Sequence, residues 1–389
     1  MRIVVVGGGV GGLTAARSLL RAGFDVLVLE QAPSFGAVGA GLQLGPNATR
    51  ILTRLGLADE LAEVGISPAA VRMLRWHDDA VLSNMRLAQD ARARFGAPYY
   101  VVYRADLIEL LSRGLPEGTV RFGAEVVDVT TGDKPEVRLA DGTVESADVV
   151  VGADGTHSKV RAATIGDVPA RFARMIAYRS LIPWAEVPGD PEQVVRTWLG
   201  PGRHVTTYPV GRGCRYLSVS AVLPEPVRSA ESWTASGGIG ELRAQLAGWN
   251  STVRELTEAI TGTVYRWALY EREPLLHWST SCTTLVGDAC HPMLPFMAQG
   301  AAQAVEDAAA LAACLRRTPG EVGAALARYE VARQPHTTRI QQLSWSNNTA
   351  YHLQDGPEQK LRDEGLRASR TTTEALHWLY GNDPERLPD

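Results

Sequence analysis

Residues 4–16 read VVVGGGVGGLTAA. An apolar run breaks into glycines and resumes as small and apolar residues, which sets GxGxxG at Gly7, Gly9 and Gly12 between a strand and a helix. Gly7 permits the tight turn, Gly9 lets backbone approach a pyrophosphate, and Gly12 allows close helix packing. The free amides and positive dipole end of the helix attract phosphates. Outward from this point, Arg2 to Val6 predict a buried strand, Gly11 to Ala22 a helix and Asp25 to Leu29 a second strand. Glu30 ends that strand, where a carboxylate accepts hydrogen bonds from both ribose hydroxyls of an adenosine and disfavours a 2′-phosphate.

The rest of the composition agrees with a small-molecule protein. With 389 residues, 45% hydrophobic and 21% charged, the chain can bury a large core. A net charge of -4 and a pI near 6.1 give nucleic acid or anionic membranes no electrostatic attraction. No signal-peptide pattern precedes the glycines, and no apolar run reaches the roughly 18 to 20 residues of a membrane span, so a cytoplasmic protein is expected. Cys214, Cys282, Cys290 and Cys314 form no CxxC pair, so neither a disulfide framework nor a metal site is expected.

The predicted architecture is α/β: a Rossmann-like dinucleotide domain interrupted by an antiparallel-sheet substrate domain, with C-terminal helices. The first part covers 1–170, with an excursion into the substrate domain at about 70–98. The substrate domain covers 171–275, the second part of the dinucleotide domain 276–350, and a helical segment 351–389. Pro46 to Leu57 predicts one helix behind its proline, Tyr99 to Tyr103 a strand, and Ala105 to Arg113 a helix. Asp141 and Gly142 predict a hairpin. From Arg171 to Val222 the Val, Tyr, Thr and Trp content predicts antiparallel strands. Long helices are predicted over Gly300 to Leu315 and Gly320 to Ile340.

Two later motifs repeat the strand-then-turn logic. VVGADGTHSKVR (150–161) places Asp154 and Gly155 after an apolar strand. LVGDACHPMLPFMAQGAAQAVEDAA (285–309) places Asp288 likewise, at the carboxyl end of a sheet, where an aspartate can accept hydrogen bonds from ribitol hydroxyls. Gly300 then opens a helix whose N-terminus stabilises a nearby anion by roughly 0.3 to 2 kcal/mol.

These three motifs, in this order, resemble the flavin-dependent aromatic hydroxylases of the p-hydroxybenzoate hydroxylase type. GAGLQLGPN (39–47), YRADL (103–107) and GDACHPMLPFMAQGA (287–301) are similar to the 6-hydroxynicotinate 3-monooxygenase and salicylate hydroxylase branch. The resemblance implies FAD held by Gly7, Gly9, Val10, Gly12, Glu30, Gln31, Arg104, Val126, Asp154, Asp288, Gly300 and Ala301. It implies NADH or NADPH and O2 as co-substrates, in a monomer or homodimer. It also implies hydroxylation of a phenolic or hydroxy-N-heteroaromatic ring, an aromatic acid among the candidates, with or without decarboxylation, through a flavin C4a-hydroperoxide.

Candidate substrate residues fall in VVRTWLGPGRHVTTYPVGRGCRYLSVS (194–220). Period-two spacing puts His204, Thr206 and Tyr208 on one strand face. The resemblance assigns His204 and Tyr208 to substrate and Pro295 to the flavin's reactive edge, and Trp198, Gln43, Phe296 and Met297 complete the expected pocket. Gln43, Val195 and Phe296 depart from the histidine, cysteine and histidine read in the hydroxynicotinate enzyme, which points to another ring. Arg179 and Arg196 are carboxylate-pairing candidates, with solvent exposure the default expectation for both. Cys290 and His291 are expected to be structural.

The alternatives fit less of the chain. A plain NAD-dependent dehydrogenase leaves the two aspartate motifs unexplained, and a disulfide reductase needs CxxC and a second GxGxxG. A halogenase needs a tryptophan-rich signature and a catalytic lysine. A tailoring hydroxylase acting on a larger natural-product phenol and a non-catalytic flavoprotein stay open.

Overall fold

The computed structural model describes residues 1–36, 40–227, 237–368 and 375–386, and statements about the whole fold refer to these. Gly39 of GAGLQLGPN lies outside the described residues. The chain opens with β1 (Arg2–Val6), α1 (Val10–Arg21) and β2 (Asp25–Leu29), then β3 (Gly41–Leu44), α2 (Pro46–Arg54) and α3 (Ala58–Val64). The single helix expected over Pro46 to Leu57 ends at Arg54, because Gly56 turns left-handed with φ 82°. Strands β4 (Ala70–Arg75) and β5 (Val81–Arg86), helix α4 (Ala88–Phe95), strand β6 (Tyr100–Tyr103) and helix α5 (Arg104–Ser112) follow.

Next come β7 (Val120–Arg121), β8 (Val126–Thr130), β9 (Glu136–Leu139), β10 (Val144–Ser146), β11 (Val149–Gly152) and α6 (Lys159–Ile165). The expected hairpin at Asp141 and Gly142 joins β9 to β10. Strands β12 (Arg171–Pro183), β13 (Val195–Gly200), β14 (Arg203–Val210) and β15 (Tyr216–Pro224) lead to α7 (Ile239–Leu246) and α8 (Ser251–Glu258). The chain then forms β16 (Tyr265–Glu271), β17 (Thr283–Leu285), α9 (Gly300–Arg317), α10 (Val322–Tyr351), α11 (Pro357–Ala368) and α12 (His377–Tyr380).

One sheet is parallel, in the order β17-β11-β1-β2-β7. Its central strands are buried on both faces: Ile3, Val4, Val5 and Val149 to Val151 are inaccessible to solvent. Each such side chain contributes roughly 1.5 to 3 kcal/mol on full burial. Val6 pairs with both Leu29 and Gly152, and Gly152 pairs with Leu285, so four strands end level. The chain leaves β1 toward β2 on one side and returns at β11 on the other. That reversal is where open α/β sheets bind ligands.

The second sheet has the order β16-β12-β15-β14-β13-β4-β5, antiparallel except for the β13–β4 pair. Its back face carries Ile176, Tyr178, Trp198, Val205, Val219 and Ala221, packed on Leu242, Leu246, Trp249 and Leu256 of α7, α8 and the turn between them. The front face is turned toward the parallel-sheet half, and Tyr208 of β14 meets Gly41 of β3 there.

Candidate active site

The level strand ends explain the first group of candidates. Gly7 has φ 105°, and a Cβ on it would lie 2.4 Å from the Ala153 carbonyl oxygen. A Cβ on Gly12 would lie 1.9 Å from the Gly7 carbonyl oxygen. Gly9 differs, because nothing lies within 4 Å of where its Cβ would be. Two glycines thus serve close packing, while the third faces open space at the start of α1. That helix has no acidic residue in its first turn and no side-chain cap, so its amide end is available to an anion.

Glu30 stands beside this opening. Its Oε2 accepts from Gly8 N at 2.7 Å and its Oε1 from Ala32 N at 2.8 Å. A carboxylate offers about four acceptor positions, so both oxygens keep capacity for ribose hydroxyls. Gly123 and Ala124 donate to the carbonyls of Ala32 and Glu30, two residues before the half-buried Val126. The Gln31 side chain is exposed, which leaves its backbone as the part near the site.

Arg104 opens α5. Burial lowers its pKa, and the carboxylates of Glu30 and Asp288 pull it back up, so the guanidinium lies within the field of both. Asp288 lies beside the N-terminus of α9: its Oδ1 is 3.9 Å from where a Cβ on Gly300 would be. Helix α9 begins at Gly300 and Ala301 with no acidic residue and no side-chain cap. A cradle with two open helix ends, a carboxylate with free acceptor capacity and one half-buried guanidinium fits a dinucleotide such as FAD.

Asp154 has a different place from the one expected of a direct ligand. Its Oδ1 accepts from Ser158 Oγ at 2.6 Å, and its Oδ2 from Lys159 N and Val160 N at 2.7 and 3.1 Å. Burial raises its pKa against these hydrogen bonds. Its carboxylate therefore caps α6 and shapes the turn after β11.

Tyr208 and His204 do share the front face of β14. The Tyr208 hydroxyl donates to Gly41 O at 2.7 Å, and its ring fills the space a Cβ on Gly41 would need. Burial raises its pKa, so it stays a neutral phenol. His204 Nδ1 lies 2.8 Å from His352 Nε2, while His352 Nδ1 lies 2.6 Å from Asn348 O and donates to it. Phe296 and Tyr351 pack on His204 at 5.3 and 5.5 Å. Burial and His352 hold the His204 pKa well below its usual value, which makes it a weak base.

Trp198 is corrected. The expected pocket includes it, yet it lies opposite Val205, on the back of the sheet, 1% exposed and with its indole N–H donated to Asp79. Adjacent strands share a face only through register, and β13 pairs so that Thr197, not Trp198, joins Thr206 on the front.

Arg179 is corrected as well. It is not a solvated surface arginine: it stacks on Trp267, with Cζ 4.3 Å from the ring centroid, and its buried Nε has no hydrogen-bond partner. Arg196 does sit toward solvent, paired with Glu192 on the back face.

Gln43 accepts from the Tyr99 hydroxyl at 2.6 Å. Met297 Sδ takes a hydrogen bond from Asn347 Nδ2, and Pro295 is exposed at the turn that ends in the left-handed Ala298. Cys290 and His291 are buried: burial pushes the thiol far up, and His291 Nε2 lies 2.6 Å from Asp307 Oδ2. Sequence reasoning missed the partners His352, Trp267 and Tyr99 and the network around Arg333. Glu306 and Asp307, adjacent acids in an Ala-rich helix, were the available signal for that network.

The fold and the dinucleotide cradle are those of a FAD-dependent aromatic monooxygenase. The chain belongs to this family: the FAD binding domain model matches residues 1–210 and 264–344. It is 44% identical over 384 residues to a 3-amino-4-hydroxybenzoate 2-monooxygenase of Streptomyces platensis, covering 98% of this chain and 96% of that one. It is 40% identical to a 6-hydroxynicotinate 3-monooxygenase of Pseudomonas fluorescens, covering 89% and 91%. Among solved structures, Klebsiella pneumoniae HpxO with FAD and uric acid superposes with TM-score 0.85 at 26% identity, covering 97% and 94%. No helix among the described residues is long and apolar enough to cross a membrane.

Proposed function

We propose that this chain hydroxylates a single-ring aromatic substrate carrying a hydroxyl or hydroxypyridine group, held against the front face of the seven-stranded sheet, at the expense of O2 and NADH or NADPH. The observation that carries the reading is the Tyr208 hydroxyl fixed on Gly41 O, since it joins the sheet to the segment leading into the cofactor half. Relatives named for hydroxybenzoates and hydroxynicotinate support the substrate class.

FAD, when bound by Gly7, Gly9, Gly12, Glu30, Arg104, Asp288 and the start of α9, supplies the redox and oxygen chemistry. The chain's own residues position and exclude. Tyr208 donates to Gly41, so its oxygen presents lone pairs as acceptors for a substrate hydroxyl. Gln43, fixed by Tyr99, supplies a second polar contact. Phe296, Tyr351 and the neutral His204 form an aromatic wall that keeps water from the ring. A cavity of about 180 Å³ is lined by Tyr103, Arg179, Leu181 and Trp267, and its size suits one ring better than a large natural-product scaffold.

The test is oxidation of reduced nicotinamide by the FAD-loaded protein across a panel of hydroxybenzoates and hydroxypyridines. Stimulation, with a product one oxygen heavier, is the expected result. A rate indifferent to every member of the panel would retire the proposal.

A further inference from the structure

The front face of the seven-stranded sheet holds a cation, Arg179, that has no counter-ion among the described residues. Arg179 in β12 lies opposite Ser220 of β15, which lies opposite Thr206 of β14, so the three share one row. Tyr208, Ser218 and Leu181 form the adjacent row of that face. Arg179 thus stands two strands from the Tyr208 strand, roughly 10 Å at the usual strand spacing, and both side chains point to the same side. Its charge is felt at Tyr208, where it acts against the upward shift that burial imposes.

The surroundings are built for an anion. Ala40, Tyr103, Arg179, Leu181, Tyr265 and Trp267 line a cavity of about 180 Å³. Trp267 fixes the guanidinium plane by stacking, which leaves its edge to form hydrogen bonds. No ion pair to Arg179 occurs among the described residues, and burial lowers its pKa. Arg179 is half-buried with its Nε enclosed and unpartnered; a charge so placed without an acid is costly, and such a cost persists where a ligand removes it.

We propose that Arg179 is the substrate-anchoring residue of this enzyme and that it takes the carboxylate of an aromatic acid. The reading rests on the proposed function above. The acid group sits on the guanidinium, and the ring extends toward Tyr208, so the hydroxyl and the carboxylate are read at opposite ends of one ring. Arg196, the other arginine candidate in this sheet, is excluded by its pairing with Glu192 on the back face.

The experiment compares 3-amino-4-hydroxybenzoate with its neutral carboxamide on FAD-loaded wild type, Arg179→Met and Arg179→Lys. Binding is followed by perturbation of the flavin absorbance and, separately, by KM and kcat. A charge-assisted hydrogen-bonded pair lost from a buried site predicts about 10- to 100-fold weaker binding of the acid in Arg179→Met. The carboxamide should change less than about 3-fold, and Arg179→Lys should recover part of the loss. An equal loss for acid and carboxamide, or no loss for either, overturns the anchor. Wild type that binds neither compound and is stimulated by no hydroxylated aromatic acid overturns the proposed function itself, and the anchor falls with it.

Discussion

Arg333 donates from Nε to Asp307 Oδ1 at 2.8 Å, with the two side chains 1% and 0% exposed. The other oxygen of Asp307 accepts from Gly287 N at 2.9 Å, so α10 reaches through α9 to hold the turn that presents Asp288. Glu306, next in the same helix, takes hydrogen bonds from Arg333 Nη1, Asn47 Nδ2 and Asn382 Nδ2, each at 2.6 Å. One guanidinium therefore pairs with two buried carboxylates, and the network ties α2, α9, α10 and the C-terminal segment together. His291 and Arg333 hold the Asp307 carboxyl down to about 2 against burial.

Removing one partner from such a network leaves buried charge uncompensated, at a cost of about 3 to 5 kcal/mol. Arg333→Met should lower the midpoint of denaturant unfolding accordingly and also weaken FAD retention. A variant within about 1 kcal/mol of wild type would show that the network contributes little.

The glycines of the first turn should separate packing from ligand approach. Gly12→Ala drives a Cβ into the Gly7 carbonyl and should cost at least about 1 to 3 kcal/mol of apoprotein stability. Gly9 has extended backbone with open space before it, so Gly9→Val should fold normally and lose bound FAD. Thermal unfolding of the apoproteins and the ratio of flavin to protein absorbance give the two readouts. Full flavin occupancy in Gly9→Val would mean the cofactor does not lie against that turn.

Tyr208→Phe removes a hydroxyl that the cofactor cradle does not use. Hydroxylation efficiency, kcat/KM, should fall about 10-fold or more while FAD occupancy stays at the wild-type level. Unchanged kcat/KM and unchanged coupling of nicotinamide oxidation to product would remove Tyr208 from the substrate site.

The buried pair His204 and His352 sets a pH dependence. Both pKa values are lowered in the fold, that of His352 to about 4, mainly by burial. The unfolded chain, with histidines near 6.5, binds protons first as pH falls. The pair's contribution is therefore complete above about pH 6.5 and is lost progressively between there and about 4, at up to about 1.4 kcal/mol per pH unit for each histidine. Denaturant unfolding at pH 7.5, 6 and 5 measures this slope, and His352→Phe should flatten it. A wild-type stability that is level over that interval contradicts the neutral buried pair.

Much of this molecule is local and was legible in the chain. The parallel strands are valine runs, the glycine spacing dictates a turn and a helix start, and Glu30 and Asp288 follow strands that must end at one sheet edge. Period-two spacing likewise placed His204 with Tyr208. The limits are equally specific. Alternation shows that β13 has two faces without saying which one meets the face of β14 that carries Tyr208, and the register is what takes Trp198 out of the expected pocket.

The cofactor half can be read from the chain alone, because strand, turn and helix there are neighbours along it and the expected chemistry follows from a few residues at fixed spacing. Tertiary structure alone decided what Asp154, His204 and Arg179 do. Asp154 accepts hydrogen bonds at a helix end, His204 is kept neutral by burial and by a histidine 148 residues away, and Arg179 is sheltered by Trp267 of another strand. Burial and pairing are properties of contacts between distant segments, and they, more than residue type, set the charge a side chain carries and what it can bind.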